Sequence, residues 1–262
     1  MTEAYRRTRK SGATGVDDQT AEEYSKDLQR NLKSLLERAK SGSYFAPPVK
    51  RVYIPKGVGS KELRPIGIPT FEDKILQRAV TMLIEPIYEN DFLDCSYGFR
   101  PKRSQHQALN HFWKGVMNIN GGFVLSVDIS KFFDTMDKKH LRQLLGLRVR
   151  DGVVNRLLGK WLNAGVCEDQ QIHYPEAGSP QGGVVSPLIS NVYLHYVLDQ
   201  WFAQEVRPRL KAQATMVRFA DDVLIAFSNK DDAQRRAKSY GGSAKALCEV
   251  WSHGAPDQNR PC

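Results

Sequence analysis

Residues 215–228 read TMVRFADDVLIAFS, two apolar arms around a short turn that carries Asp221 and Asp222. Apolar arms of this length joined by a tight polar turn predict a β-hairpin with both carboxylates at its tip. A second apolar stretch, FVLSVDI at residues 123–129, follows Gly121–Gly122. Strand periodicity sets Phe123, Leu125, Val127 and Ile129 on one face and Val124, Ser126 and Asp128 on the other, with Asp128 at the strand end. If this strand and the hairpin share one sheet, Asp128, Asp221 and Asp222 converge despite a separation of 93 residues. Converging carboxylates repel one another, and a hard cation relieves the repulsion. Mg²⁺ fits, because it takes oxygen ligands and leaves coordination sites for phosphate, and a pair of such ions suits phosphoryl transfer. An Asp-Asp pair alone reads as a solvated turn, since Asp favours turns. The apolar flanks separate this pair from that reading.

Working outward, residues 20–39 predict one helix, opened by a Thr20–Glu23 capping box and closed by Gly42. Residues 47–70, PPVKRVYIPKGVGSKELRPIGIPT, are too rich in Pro and Gly for a helix and predict a hairpin with its tip near Gly57 and Gly59. A helix capped by Thr70 and Asp73 starts at Phe71, with Leu76, Val80, Leu83 and Ile87 as its apolar stripe and a kink expected at Pro86. Helices are expected near residues 138–147 and 153–163, and the loop EAGSPQGGVVSP leads into a long apolar helix ending near Val206. Strands and helices do not alternate regularly, so the fold class is α+β.

The chain has 262 residues, 41% of them apolar, and a formal charge of +9, which suits a folded protein with a polyanionic partner. No run of 18 apolar residues is present, and the N-terminus MTEAYRRTRKSG lacks the apolar core of a secretory signal, so a membrane is not an expected partner. Cys95, Cys167, Cys248 and Cys262 form no C-x-x-C pair, and the histidines show no ligand spacing. Reduced thiols in a cytoplasmic protein are the expectation.

RFADDVLIAF resembles the YADD box of reverse transcriptases, and FVLSVDISKFFDTMDKKHL their motif with the first catalytic aspartate. EAGSPQGGVVSPLISNVYLHYVLD is similar to the PQG-x-x-SP-L-x-x-N-x-Y-L motif of group II intron reverse transcriptases. RVYIPKGVGSKELRPIGIPTFEDKILQRAV, SYGFRPKRSQHQAL and GATGVDD resemble further segments of that family, in its order, across about residues 12–230. The resemblance implies a right-hand polymerase: fingers with an N-terminal extension at 1–110, a catalytic palm at 111–234, and an atypical tail at 235–262. It implies an RNA-directed DNA polymerase that adds deoxynucleoside triphosphates to a DNA primer on an RNA template with two Mg²⁺ ions, and in intact relatives a splicing and mobility role with group II intron RNA.

Residue by residue, the resemblance implies Asp128, Asp221 and Asp222 as catalytic metal ligands, with the backbone carbonyl of Ile129. It puts Lys56, Arg64, Phe133, Gln181 and Gly182 around the nucleotide, Phe133 as the ring that excludes a 2′-hydroxyl. Arg100, Lys102 and Arg103 are candidates for template phosphates, with Tyr97 and Phe99 nearby for stacking or packing; a solvated basic turn is the plain alternative. Phe219 stands where the family has Tyr. After Gln234 no family element is readable, so a truncated or frameshifted copy, weakly active or inactive on its own, is expected, with an uncovered edge on the catalytic sheet. An RNA-binding remnant without polymerase activity, or an intron-type enzyme recruited to a CRISPR or defence locus, are the other readings.

Overall fold

The structure, a computed structural model, describes residues 1–55, 57, 59–119, 122–128, 136–174, 182–239 and 249–251. The class is α+β, as expected, and the chain forms two compact units, each built from two stretches: residues 1–91 with 131–193, and residues 92–130 with 194–262. No helix among the described residues is long and apolar enough to cross a membrane.

The first unit opens with helices α1 (Thr2–Arg7), α2 (Ala21–Ser25) and α3 (Leu28–Ser41). The Thr20–Glu23 capping box is present, and α3 ends at Gly42 with a left-handed φ of 86°. The single helix expected over 20–39 is instead two, because Asp27 leaves helical geometry at φ −120° and ψ 41°. Tyr24 is buried edge-on against Phe71, so packing fixes the short helix independently of the longer one. Strands β1 (Val49–Pro55) and β2 (Leu63–Ile68) pair antiparallel from Lys50↔Ile68 to Pro55↔Leu63, which is the expected hairpin.

Helix α4 (Phe71–Glu89) is capped by the Thr70 hydroxyl, which accepts from the Asp73 N–H at 3.2 Å, and it continues through Pro86. Its buried stripe is Leu76, Val80, Ile84 and Tyr88, while Leu83 is 64% exposed. Helical spacing allows i+7 or i+8, and both positions here are apolar, so the sequence left the face ambiguous by one residue. Helices α5 (Gln105–Asn118), α6 (Lys138–Arg148) and α7 (Gly152–Leu162) follow, α5 in the second unit and the others in the first. Strands β4 (Val166–Glu168) and β5 (Gln171–His173) complete a sheet ordered β2-β1-β4-β5.

Asp73 anchors a buried polar network in this unit. Its carboxylate accepts from Tyr44 Oη at 2.5 Å, Trp161 Nε1 at 2.7 Å and Gln77 Nε2 at 2.9 Å. Burial pushes its pKa up from 3.8 to about 6, against the opposing pull of those three donors. The folded protein therefore keeps a proton that the unfolded chain releases, and wild-type stability falls by about 3 kcal/mol as pH rises from about 4 to about 6. Asp73→Asn cannot titrate there. Denaturation at pH 4, 5, 6 and 7 should show the stability difference moving in the variant's favour by that amount; a constant difference would mean that Asp73 is ionised throughout.

The second unit holds the other sheet, ordered β6-β7-β3-β8: β3 (Gly122–Asp128), β6 (Ala214–Phe219), β7 (Asp222–Phe227) and β8 (Glu249–Trp251). Leu125 and Val127 are buried, as their shared face required. Helix α8 (Ser186–Leu194) belongs to the first unit up to Tyr193, and the chain continues in the second with two π-helical stretches, His195–Gln200 and Phe202–Val206, so the helical run ends where expected but with wider turns. Helix α9 (Lys230–Ser239) follows β7. The expected bare edge is covered in part: β8 pairs antiparallel with β3 from Gly122↔Trp251 to Val124↔Glu249, and among the described residues this pairing does not reach Leu125–Asp128. Residues 240–248 and 252–262 of the tail lie outside the described residues.

Candidate active site

Strand β3 pairs antiparallel with β7 in a register that sets Asp128 directly opposite Asp222. Directly opposed Cα atoms in such a ladder lie about 4.5–5.5 Å apart. Strand β6 pairs with β7 so that Phe219 faces Asp222, which leaves Ala220 and Asp221 as a two-residue turn. Asp222 is thus the first residue of β7 rather than part of the turn. The backbones of all three aspartates meet at one end of three adjacent strands.

Asp221 is half-buried and Asp222 exposed. Among the residues whose side chains are described, no three His, Cys, Asp or Glu form a ready metal cluster. The donor chemistry nevertheless fits a hard cation: carboxylate oxygens at strand ends, with no sulfur or imidazole on the turn.

The hairpin is held from behind by residues 95–98. Tyr97 N–H donates to Arg218 O at 2.8 Å and Arg218 N–H to Cys95 O at 2.7 Å, while Ser96 bridges Arg218 in parallel. The Phe219 ring packs on Tyr97, Ala108 and Val217, which gives the ring a core function that needs no hydroxyl. Burial pushes the Cys95 thiol up to about 12, with Asp199 adding to the shift, so it stays a neutral thiol.

Other candidates divide between the units. Arg64 is exposed on β2 opposite Ile54. Gly182 has φ 114°, and a Cβ there would stand 2.3 Å from Gly67 O. Close approach to β2 therefore already requires this glycine. Lys56, Ile129, Phe133 and Gln181 lie outside the described residues.

Arg100 is 6% exposed, and its guanidinium donates to the carbonyls of Leu93 and Ser96 at 2.9 Å each. This position suits bracing of the loop rather than the phosphate contact expected for it. Lys102 is exposed at φ 61°. Arg103 pairs with Asp94 at 2.7 Å and lies 5.0 Å from the Tyr97 ring. Tyr97 is buried, whereas Phe99 is 61% exposed.

Sequence reading missed α5, Arg218 and Asp199. Helix α5 had a local signal, a Ser104–Gln107 capping box. Arg218 had a weaker one, a lone cation inside the apolar run TMVRF.

Residues 54–246 match the family described as Reverse transcriptase (RNA-dependent DNA polymerase). The chain belongs to the reverse transcriptase family. The match runs past Gln234, where the sequence alone stopped being readable. The chain is 42% identical over 192 residues to the group II intron-encoded protein LtrA of Lactococcus lactis subsp. cremoris, covering 72% of this chain and 31% of that protein. It is 38% identical over 200 residues to protein YkfC of Escherichia coli K12, covering 74% and 52%. It is 34% identical over 170 residues to an uncharacterized 91 kDa protein in the cob intron of Schizosaccharomyces pombe, covering 65% and 20%. The chain thus spans only about a third of the Lactococcus relative and about half of the Escherichia one. Its kinship within the reverse transcriptases is with intron-encoded proteins.

Proposed function

We propose that this chain carries the fingers and palm of a right-hand polymerase, fingers with an N-terminal extension over 1–110 and palm over 111–234, and that it performs RNA-directed DNA synthesis. The observation that carries the reading is the Asp128↔Asp222 register beside the Asp221 turn. It brings the backbones of three aspartates together from stretches far apart in sequence, and carboxylates are what phosphoryl transfer uses.

In this reading Asp128, Asp221, Asp222 and the Ile129 carbonyl hold two Mg²⁺ ions, which when bound lower the pKa of the primer 3′-hydroxyl and neutralise charge on the phosphates. Lys56, which follows β1 in sequence, and Arg64, on β2, neutralise the triphosphate of the incoming deoxynucleotide. Gln181 and Gly182 border the nucleotide, and Phe133 excludes a 2′-hydroxyl. Lys102 and Arg103 approach template phosphates, with Arg100 holding their loop in shape. The net charge of +9 suits an RNA template, a DNA primer and an intron RNA as partners.

The test is single-nucleotide addition to a DNA primer annealed to RNA, with duplex binding measured in parallel. Template-directed addition that requires Mg²⁺ and stops on chelation is the expected result. Tight duplex binding without any addition would instead support an RNA-binding protein that has no polymerase activity.

A further inference from the structure

We propose that the buried Arg218–Asp199 pair positions the Asp221 turn through the main-chain carbonyl of Ala220. This rests on the active-site reading above and deepens it. Arg218 lies on β6 three residues before Asp221, and Asp199 lies in the first π-helical stretch; both side chains are 0% exposed. The guanidinium grips Asp199 with two bonds, Nε to Oδ1 at 2.8 Å and Nη2 to Oδ2 at 2.7 Å. Nη2 also donates to Ser96 Oγ at 2.7 Å, and Nη1 donates to the carbonyl of Ala220 at 2.8 Å.

A forked, two-point grip fixes the plane of the guanidinium, so the Nη1 donor is held at one place in space. That place is the turn. Ala220 has a left-handed φ of 57°, a conformation that a residue with a Cβ takes only when its surroundings impose it. Gly98 supplies the second constraint, because its backbone lies so near that a Cβ would stand 2.2 Å from Ala220 N. The turn is thus held between a fixed donor and a close backbone, and Asp221 is the next residue along. A buried ion pair is a poor source of stability, since desolvation offsets the attraction. What this one supplies is a donor that cannot wander. Lysine could not replace it, because a single ammonium cannot make the fork and reach Ala220 in the same geometry.

The experiment compares the full 262-residue chain with Arg218→Met/Asp199→Leu and with Arg218→Lys. The double variant removes both buried charges together, so it is expected to fold with a thermal midpoint near that of wild type. Arg218→Lys keeps the charge pair and serves if the double variant does not fold. Hydrogen exchange is read at the amides of residues 220–222 against those of 214–217, alongside single-nucleotide addition and duplex affinity. The turn amides should exchange about 10- to 100-fold faster, as loss of a charge-assisted hydrogen bond implies, while 214–217 stay protected. Addition should slow with duplex affinity unchanged. A folded variant whose turn exchanges as slowly as wild type would overturn the proposal. If the turn loosens but the wild-type chain adds no nucleotide, the positioning stands and the polymerase reading fails. If addition is normal in wild type and unaffected in a folded variant, the positioning fails and the polymerase reading stands.

Discussion

Asp221→Ala is expected to reduce template-directed nucleotide addition by about 10³-fold or more while leaving RNA–DNA duplex affinity nearly unchanged. Asp221 occupies the turn at the end of three adjacent strands, next to the Asp128↔Asp222 pair. It is half-buried, and among the described residues its carboxylate makes no hydrogen bond or ion pair, so its removal should change stability by no more than about 0.5 kcal/mol. A large loss of rate without loss of fold or of duplex binding is what removal of a charge used only in the reaction produces. Nucleotide addition at near wild-type rate would remove Asp221 from the active site.

Gly98→Ala is expected to destabilise the second unit by roughly 1–3 kcal/mol, lowering the thermal midpoint by several degrees. A Cβ at this position would stand 2.2 Å from Ala220 N, 2.9 Å from Ala220 Cα and 3.0 Å from Phe219 C. All three atoms are backbone, so no side chain can swing aside. The hairpin tip must move, and with it Asp221. Gly146→Ala is the matched control: it lies within α6 with nothing within 4 Å of the added Cβ, and alanine favours helix over glycine by about 1 kcal/mol. Calorimetry on both should show opposite signs. If Gly98→Ala melts like wild type, the loop does not press on the turn as the geometry requires.

Local signals were read well from the sequence because their causes are local. The Thr20 and Thr70 caps and the Gly42 stop each depend on a few neighbouring residues, and each stands where expected. The β1–β2 hairpin was legible because Pro and Gly exclude a helix over that stretch, and the β6–β7 hairpin because two apolar arms flank a tight polar turn. Where several solutions satisfied the local pattern, the reading went wrong. The choice of Leu83 over Ile84 as a core residue is one case, and the merging of α2 with α3 is another. Arg100 was read by its charge, which says nothing of the carbonyls that bury it.

By itself the sequence determined the family and singled out the three aspartates as candidates, since each motif needs its own residue types at fixed short spacing. Tertiary structure alone decided the register that sets Asp128 opposite Asp222, and which residue of the Asp221–Asp222 pair belongs to the turn. It alone decided that an arginine, a π-helical aspartate and a glycine from three separate stretches close around Ala220. Contacts between residues far apart in the chain leave little trace in a single sequence, because either partner could be satisfied in many other ways until the backbone brings the two together.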